Sequence, residues 1–560
     1  MKVGDYLLNC LKEVGITEIF GVPGDYNFSL IDLLEKDQSL RFIPCRNELN
    51  AGYAADGYAR MKGFGALITT FGVGELSACN AIAGAFSESV PLIHLVGAPK
   101  MMAQRLHKKM HHTLLDGNFD TFRKMVEPIT AYAARVTPEN AALEIPNAIQ
   151  KAAETRKPVY LTIPIDVVTQ EMEPRSEKMI AWQTNEHSLK EALKEIVARL
   201  HRAKSPVLIS EVFVARYGLK EKVEQIAAEM NIPVVTMMMG KGSFDESLPE
   251  FKGFYCGKLG SDAVGQLVES ADCVIAFGAI WDDYNTGLFT AAINPLSVIN
   301  LLPDAVQIGR TVYPAIRIQD ILNVFPSSEW KASDPLAAIP FPFEQENSKA
   351  PAADSELSAA SYYPLFQTLI QEKDIVVAES GTFAWGMAQV RLKRNTTFIA
   401  QGGWGCIGYA LPAALGACIA APDRRVLLFT GDGSMQLNVQ ELSTFLENGC
   451  RPIIFVLNNQ GYTIEKYLNN RSNAAYNRIP LWNYQQLPKV FNHEAFTVQV
   501  HTQDELVQAI QQAVNQQQKK LCLIEMMADP MDAPEIIHRM HQVVQEMEQD
   551  KRGILSRLGL

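Results

Sequence analysis

Cysteine pairs at metal or redox spacing are missing from this 560-residue chain. Its nine cysteines are scattered and include no C-x-x-C. That excludes a zinc ribbon or a thioredoxin-type motif and fits reduced, mostly buried thiols in a cytosolic protein. No apolar run approaches the roughly 20 residues of a membrane span. The most apolar long stretch, "GYALPAALGACIAAP", is broken by glycine and proline. The start, "MKVGDYLLNCLKEVGITEIF", places Val3, Tyr6, Leu7, Cys10, Leu11 and Val14 at helical spacing. It lacks the continuous apolar core and small-residue cleavage site of a signal peptide, so a cytoplasmic protein is expected. Cationic surface is also scarce. The net charge is −11, and "QRLHKKMHH" is the one dense basic patch. Nucleic acid, which is bound through clustered Lys and Arg, is therefore not expected as a main partner.

What the chain does have is the composition of an ordinary globular protein, 47% hydrophobic and 20% charged, over a length that predicts several domains. Up to about residue 170, "ITEIFGVPG", "LRFIPC", "GALITTFGVG", "PLIHLVGAP" and "PVYLTIPID" read as strands. Small-residue helices, "LNAGYAADGYARMKG" and "ELSACNAIAGAFSES", lie between them. This alternation predicts a parallel sheet covered on both faces. A second α/β region, about 185–330, has strands "PVLISEV", "PVVTMMM" and "CVIAFGAI" and an amphipathic helix "LKEKVEQIAAEMN". The Pro/Ala/Ser-rich stretch beginning "SSEWKASDPLAAIPFPF" has no sustained period and is expected to be mostly linker. In the third region, about 356–530, "DIVVAES", "TTFIAQGG", "RRVLLFTGDG", "PIIFVLNNQ" and "LCLIEM" read as strands. The tail predicts a helix with Ile536, Ile537, Met540, Val543, Val544 and Met547 on one face. It serves either as a packed domain end or as the cover of a site.

The turn "FTGDGSM" carries an acid, Asp432, between two glycines at a strand end. Such turns usually offer bare N–H groups to phosphate. Asp432 has three readings: a turn aspartate bonded to its own backbone, a ribose ligand downstream of Gly403-x-Gly405-x-x-Gly408, or a magnesium ligand that neutralises a diphosphate. Downstream, Asn438 with Glu441 predicts a capped helix bearing Val439, Leu442 and Leu446 and ending at Gly449. The next strand delivers "NNQGYTIEKY". Two polar loops then leave neighbouring strands at the carboxyl edge, where ligands sit. Asp432 and Asn459 are both hard oxygen donors, which favours magnesium. A dinucleotide fold has no need of the second loop.

GDG followed some two dozen residues later by NN resembles the thiamine-diphosphate and magnesium motif. "FGVPGDYN", "CRNELNAGYAADGYAR", "HHTLLDG", "WGCIGYALPAALG" and "NNQGYTIEK" also stand in the order found in pyruvate, indolepyruvate and branched-chain 2-keto acid decarboxylases. The resemblance covers almost the whole chain. It implies three doubly wound parallel α/β domains: a pyrimidine-binding domain at 1–180, a central domain at 181–345, and a diphosphate- and magnesium-binding domain with the C-terminal helix at 346–560. It implies non-oxidative decarboxylation of a 2-keto acid to an aldehyde and carbon dioxide, with thiamine diphosphate and Mg2+ as cofactors. Asp432, Asn459 and the Gly461 carbonyl are the implied metal ligands. Thr382, Ser434 and Thr463 would contact the diphosphate. Gly405 would accept from the aminopyrimidine, Ile407 would wedge the cofactor, and Gly431, Gly433 and Ile464 complete its site.

Alone, Glu48 in "CRNELNAG" reads as a helix N-terminal acid complementing the dipole. The resemblance implies instead the glutamate that shares a proton with the cofactor's pyrimidine. His107 and His111, four apart, read as possible zinc ligands or as part of a solvated face. The resemblance implies that His111 and His112 lie over the substrate, with Asp25 and Glu465 completing the proton-handling set. Phe289, Ser380, Phe383, Ala384 and Trp385 resemble positions lining the substrate pocket. Two of them are small, which favours a medium or large side chain in a broad-range enzyme. Gln460 stands where the family often carries Asp or Glu, and its side chain is not expected to bind metal. The alternatives are an acetolactate-synthase-like carboligase, a nicotinamide oxidoreductase using "GGWGCIG", and a catalytically dead interaction protein. "HHT" with "GYTIEK" argues against the first, and intact Glu48 and Asp432 against the last. The implied assembly is a homo-oligomer, a dimer or dimer of dimers (a homotetramer), with each site shared by two chains.

Overall fold

The computed structural model describes residues 1–173, 182–333, 336–343, 355–469 and 474–557, with side chains to residue 549. Three sheets are each flanked by helices. The first takes Glu18–Gly21, Arg41–Pro44, Gly65–Thr70, Leu92–Ala98, Tyr132–Arg135 and Val159–Pro164, all parallel. The third takes Ile375–Ala378, Thr397–Ile399, Val426–Gly431, Ile453–Asn458, Phe496–Val500 and Cys522–Met527, again all parallel. Counted within each domain, both sheets run 2-1-3-4-6-5. The two outer domains thus share one topology, with a crevice at the carboxyl edge where the order reverses beside strand 1.

The central sheet departs from the all-parallel expectation. Pro206–Ser210, Val234–Thr236, Phe251–Phe254, Cys273–Phe277 and Val298–Leu301 are parallel, but Ala305–Ile308 and Thr311–Pro314 close one edge as an antiparallel hairpin. Two residues, Gly309 and Arg310, join these strands, which is a hairpin connection and too short for a crossover. Interior strands such as Gly65–Thr70 and Leu92–Ala98 are buried at every residue, which is why they read as continuous apolar runs. Tyr132–Arg135 and Phe496–Val500 lie at sheet edges with mostly intermediate burial and carry no such signal.

The small-residue helix Glu48–Lys62 packs on Ala410–Ala420 of the same chain. A Cβ at Gly57 would lie 2.0 Å from the Ala413 carbonyl oxygen, and one at Gly416 would lie 1.9 Å from that of Ala54. Its small-residue face therefore closes a seam inside one chain and is not free for a second copy. The seam holds a buried ion pair, Asp56 with Arg60 at 2.6 Å, and Tyr409 donates to the same carboxylate.

Much of the expected linker is placed. Phe341 joins the central core, and Ser355–Ser358 lead into helix Ala359–Leu369. Residues 334–335 and 344–354 of that stretch lie outside the described residues. The C-terminal helix starts at Glu535. Ile536, Ile537, Met540 and Val543 are buried as expected, whereas Met547 is exposed. The buried face packs against Ala384, Trp385, Ile464 and Tyr467, so the helix covers a wall of the candidate site. No helix among the described residues is long and apolar enough to cross a membrane.

Candidate active site

At the carboxyl edge of the third sheet, strands Val426–Gly431 and Ile453–Asn458 pair side by side, with Gly431 opposite Leu457. Helix Asp432–Asn438 starts directly at Asp432. A second helical segment, Val439–Glu441 continued by Leu442–Glu447, follows with Asn438 at its N-cap position as expected, but the Asn438 side chain does not cap it. Asn438 donates instead to the Gly408 carbonyl at 2.7 Å, and Glu441 accepts from Arg46 N and Asn50 Nδ2. These longer-range bonds use both side chains of the expected capping pair. Asp432 is 2% exposed. One carboxylate oxygen accepts from Gly433 N–H and the other from Gln460 N–H, each at 2.7 Å, which ties the two loops together. Burial pushes its carboxyl up to about 6 against the lowering pull of those bonds.

Asn459 is buried, and its Nδ2 donates to Thr463 Oγ1 at 2.7 Å, which leaves its amide oxygen for another partner. Gly461 has φ 149°, and a Cβ there would lie 2.1 Å from the Asn477 carbonyl oxygen, so only glycine fits. Gln460 also takes a positive φ, 60°, between the two asparagines and this glycine.

A small cavity opens at this point. Its lining gathers Thr382, Ile407, Gly431, Asp432, Gly433, Ser434, Asn459, Gly461, Thr463 and Ile464, together with Ser380 and Phe383. Gly405 alone of the expected cofactor residues is outside the lining; it takes φ 62° in the adjoining turn. Ala384 and Trp385 lie behind the wall, in the cluster with the C-terminal helix. Glu465 is exposed on the same short helix as Thr463 and Ile464. Phe289 is not brought to this cavity. It is 72% exposed and lines a separate central-domain cavity with Trp281 and Ile293. Its neighbour Leu288 packs toward the cluster holding Trp385 and Ile464 instead. Gly287, Leu288 and Phe289 all have positive φ, so the backbone turns between the two side chains.

The first domain carries a second group of polar side chains at its own carboxyl edge. His111 Nε2 lies 2.6 Å from Asp25 Oδ2, and His112 Nδ1 lies 3.6 Å from Asp25 Oδ1. Tyr26 stacks on His111 with ring centres 4.9 Å apart. The three donors lie within 4.8 Å of one another, close enough to share a proton or an ion. His107 is not with them. Helix Met101–Arg105 ends before it, and its Nδ1 bonds the Gly117 carbonyl, so the His107–His111 zinc pair does not form. Glu48 opens its helix after Asn47, whose side chain caps Asn50 N–H at 2.7 Å. A Cβ on Gly74 would lie 3.1 Å from Glu48 Oε1.

The cradle on the third domain, the acid–imidazole group on the first, and their order along the chain can be set beside known proteins. Three family models match: the N-terminal TPP binding domain of thiamine pyrophosphate enzymes over residues 1–119, their central domain over 193–324, and their C-terminal TPP binding domain over 379–526. The chain belongs to the thiamine pyrophosphate enzymes. It is 37% identical over 545 residues to a pyruvate decarboxylase of Kluyveromyces lactis, covering 95% of this chain and 96% of that one. It is 36% identical over 548 residues to an alpha-keto-acid decarboxylase of Mycolicibacterium paratuberculosis, covering 96% and 95%. A pyruvate decarboxylase of Aspergillus fumigatus is 37% identical over 550 residues, with 95% of each chain covered.

The cradle of this thiamine pyrophosphate enzyme fits a metal diphosphate. Its donors are hard oxygens, and a Cβ on Gly431 would meet nothing within 4 Å, so the backbone there faces open space. Sequence reading missed one acid in the lining. Glu379 is buried, accepts from Ser380 N–H at 3.0 Å and Ala410 N–H at 3.2 Å, and is pushed up to about 8 by burial. An acid ending the fully buried strand Ile375–Ala378 was the available signal.

Proposed function

We propose that this chain catalyses non-oxidative decarboxylation of 2-keto acids to an aldehyde and carbon dioxide, using thiamine diphosphate and magnesium. The observation that carries the reading is the single cavity that gathers the Asp432 and Asn459 loops with Thr382 and Ile407. Bound thiamine diphosphate supplies a thiazolium ring, an electron sink for the carbon–carbon bond that breaks. Asp432, Asn459 and the Gly461 carbonyl hold the metal. Thr382, Ser434 and Thr463 hold the diphosphate, and Ile407 and Ile464 shape the apolar part. Ser380 and Phe383, which line the cavity, bound the substrate's side chain and admit a broad range of it, with Ala384 and Trp385 packed behind them.

Glu48 would hold and release a proton at its carboxyl beside the pyrimidine of the bound cofactor. Asp25 and His112 would handle the product's protons, with His111 orienting its neighbour, and Glu465 would serve the carboxylate side. The 2.6 Å contact of His111 Nε2 with Asp25 Oδ2 puts an imidazole and a carboxyl within direct proton-transfer distance.

Each site is completed by a second copy of the chain. No first-domain residue lines the cradle cavity. Arg46 and Asn50, on either side of Glu48, bond Glu441 of the same chain and not a cradle residue. Phe28, Val73, Leu106, Leu114 and Leu115 are large, apolar and exposed on the first domain, as are Leu437, Tyr476, Leu481 and Trp482 on the third. Such surface suits a permanent interface between copies in a dimer or a dimer of dimers. Nine unpaired thiols fit a reducing cytoplasm.

The test is turnover of a panel from pyruvate to indolepyruvate with both cofactors present. Equimolar aldehyde and carbon dioxide are expected. A hydroxyketone as main product, or no carbon dioxide from any member, overturns the reading.

A further inference from the structure

Glu75 is fully buried in the first domain and belongs to no proton-handling group named above. Its two carboxylate oxygens are both used. Oε1 accepts from Gly72 N–H at 2.7 Å, and Oε2 accepts from the Tyr160 hydroxyl. Gly72 has φ 62°, so the turn it begins is a conformation that glycine tolerates and other residues resist. This turn is in close contact on two sides. A Cβ on Gly72 would lie 1.9 Å from the His112 carbonyl oxygen, and one on Gly74 would lie 3.1 Å from Glu48 Oε1. Three residues thus fill the space between two groups that reach the site from different strands. The other end of the latch is equally fixed. Tyr160 is buried in an aromatic cluster with Tyr26, and Tyr26 is the ring stacked on His111.

We propose that Glu75 is a positioning residue: it clamps the Gly72–Gly74 turn as a wedge between Glu48 and His112 and thereby sets their spacing. The inference rests on the roles given to Glu48 and His112 under the proposed function. Burial pushes Glu75 up to about 7 against the lowering pull of its two hydrogen bonds. The clamp lies on the first domain and the cradle on the third, so its loss should act on turnover and leave cofactor binding alone.

The experiment uses the full-length holoenzyme. Wild-type turnover is measured first, so failure of the decarboxylase reading is seen before any variant is made. Glu75→Ala should lower kcat at least about tenfold, because small misplacements of reacting groups are that costly. Exchange of the thiazolium proton of bound cofactor, followed by quenched-flow NMR, should slow with it. Thiamine diphosphate affinity should stay within about twofold of wild type. Glu75→Gln should recover most of the loss, since its carbonyl can accept from Gly72 and its amide can donate to the Tyr160 oxygen. Gly72→Ala keeps Glu75 and pushes directly on His112. It should give the same loss confined to kcat, and it serves where Glu75→Ala does not fold. Unchanged kcat in folded Glu75→Ala or in Gly72→Ala overturns the proposal. So does a parallel fall in kcat and cofactor affinity that Glu75→Gln fails to rescue.

Discussion

Replacing Gly57 with alanine puts two known effects in opposition. Alanine is the better helix former by about 1 kcal/mol, so propensity alone predicts stabilisation. At Gly57, however, the new Cβ would lie 2.0 Å from the Ala413 carbonyl oxygen and 2.7 and 2.8 Å from its C and Cα. Ordinary contact begins at 3.4 Å. The obstructing atoms are backbone, so no side chain can rotate away, and the two helices must part by roughly 1 Å. A gap of that size forfeits about a quarter to a half of the dispersion energy along the seam. Overpacking typically costs about 1–3 kcal/mol, and a backbone clash belongs at the upper end. The net expectation is a loss of about 2 kcal/mol. Gly265 is the matched control. It lies within helix Asp262–Glu269, and a Cβ there would meet nothing within 4 Å. Gly265→Ala should therefore gain about 1 kcal/mol. Thermal unfolding of both holoenzymes should move in opposite directions, with kcat falling only in Gly57→Ala, because Glu48 opens the displaced helix. Shifts of the same sign would refute the argument that packing outweighs propensity in this seam.

Removing the cation is the next perturbation: chelator with gel filtration should strip magnesium and thiamine diphosphate together, and both must be added back to restore turnover. Asp432→Ala should lose cofactor during gel filtration while keeping its far-UV spectrum, because one buried oxygen donor is gone. His94 is fully buried and held down to about 3, from an ordinary 6.5, by burial. Between those values the unfolded chain takes up a proton that the folded chain refuses, so this residue's cost is absent above pH 6.5 and grows as pH falls. By pH 5 it amounts to about 2 kcal/mol; in denaturation at pH 7 and pH 5, His94→Gln should lose less stability across the interval than wild type. Ser380→Phe should cut kcat/KM for large 2-keto acids by about tenfold or more and leave pyruvate nearly unchanged, as measured on the substrate panel.

The cradle was the most legible part of the sequence, because its donors sit within two short motifs on adjacent strands. "GDGS" and "NNQGYT" each follow a buried apolar run, and parallel pairing brings Asp432 to Gln460 without help from elsewhere. The order 2-1-3-4-6-5 shared by the outer sheets was not legible, since topology depends on which faces the crossovers cover and not on any local pattern. Met547 belongs to the apolar stripe of the C-terminal helix but lies past the surface that Ile536 and Met540 pack on. Asn438 and Glu441 look like a capping pair, yet Gly408, Arg46 and Asn50 claim their side chains from distant parts of the chain. The small residues of "AGYAADGYA" suit close helix packing between two chains, but the helix they pack on, Ala410–Ala420, belongs to the same chain, which spacing alone does not reveal. Phe289 and Leu288 are adjacent and both apolar. Only the run of positive φ through Gly287, Leu288 and Phe289 decides which one turns toward the site wall.

The central claim is that the cradle of one chain works with Glu48 and the acid–imidazole group of another. It is tested most directly by mixing a Glu48→Gln chain with an Asp432→Ala chain, each inactive alone, under conditions that exchange subunits. In a mixed dimer one site carries both lesions and the other carries neither. Random exchange puts about half of the dimers in the mixed form with one working site each, so about one quarter of wild-type turnover should return. Mixed dimers isolated by differential tags that stay at the parental level would contradict the account and place both halves of the site in a single chain.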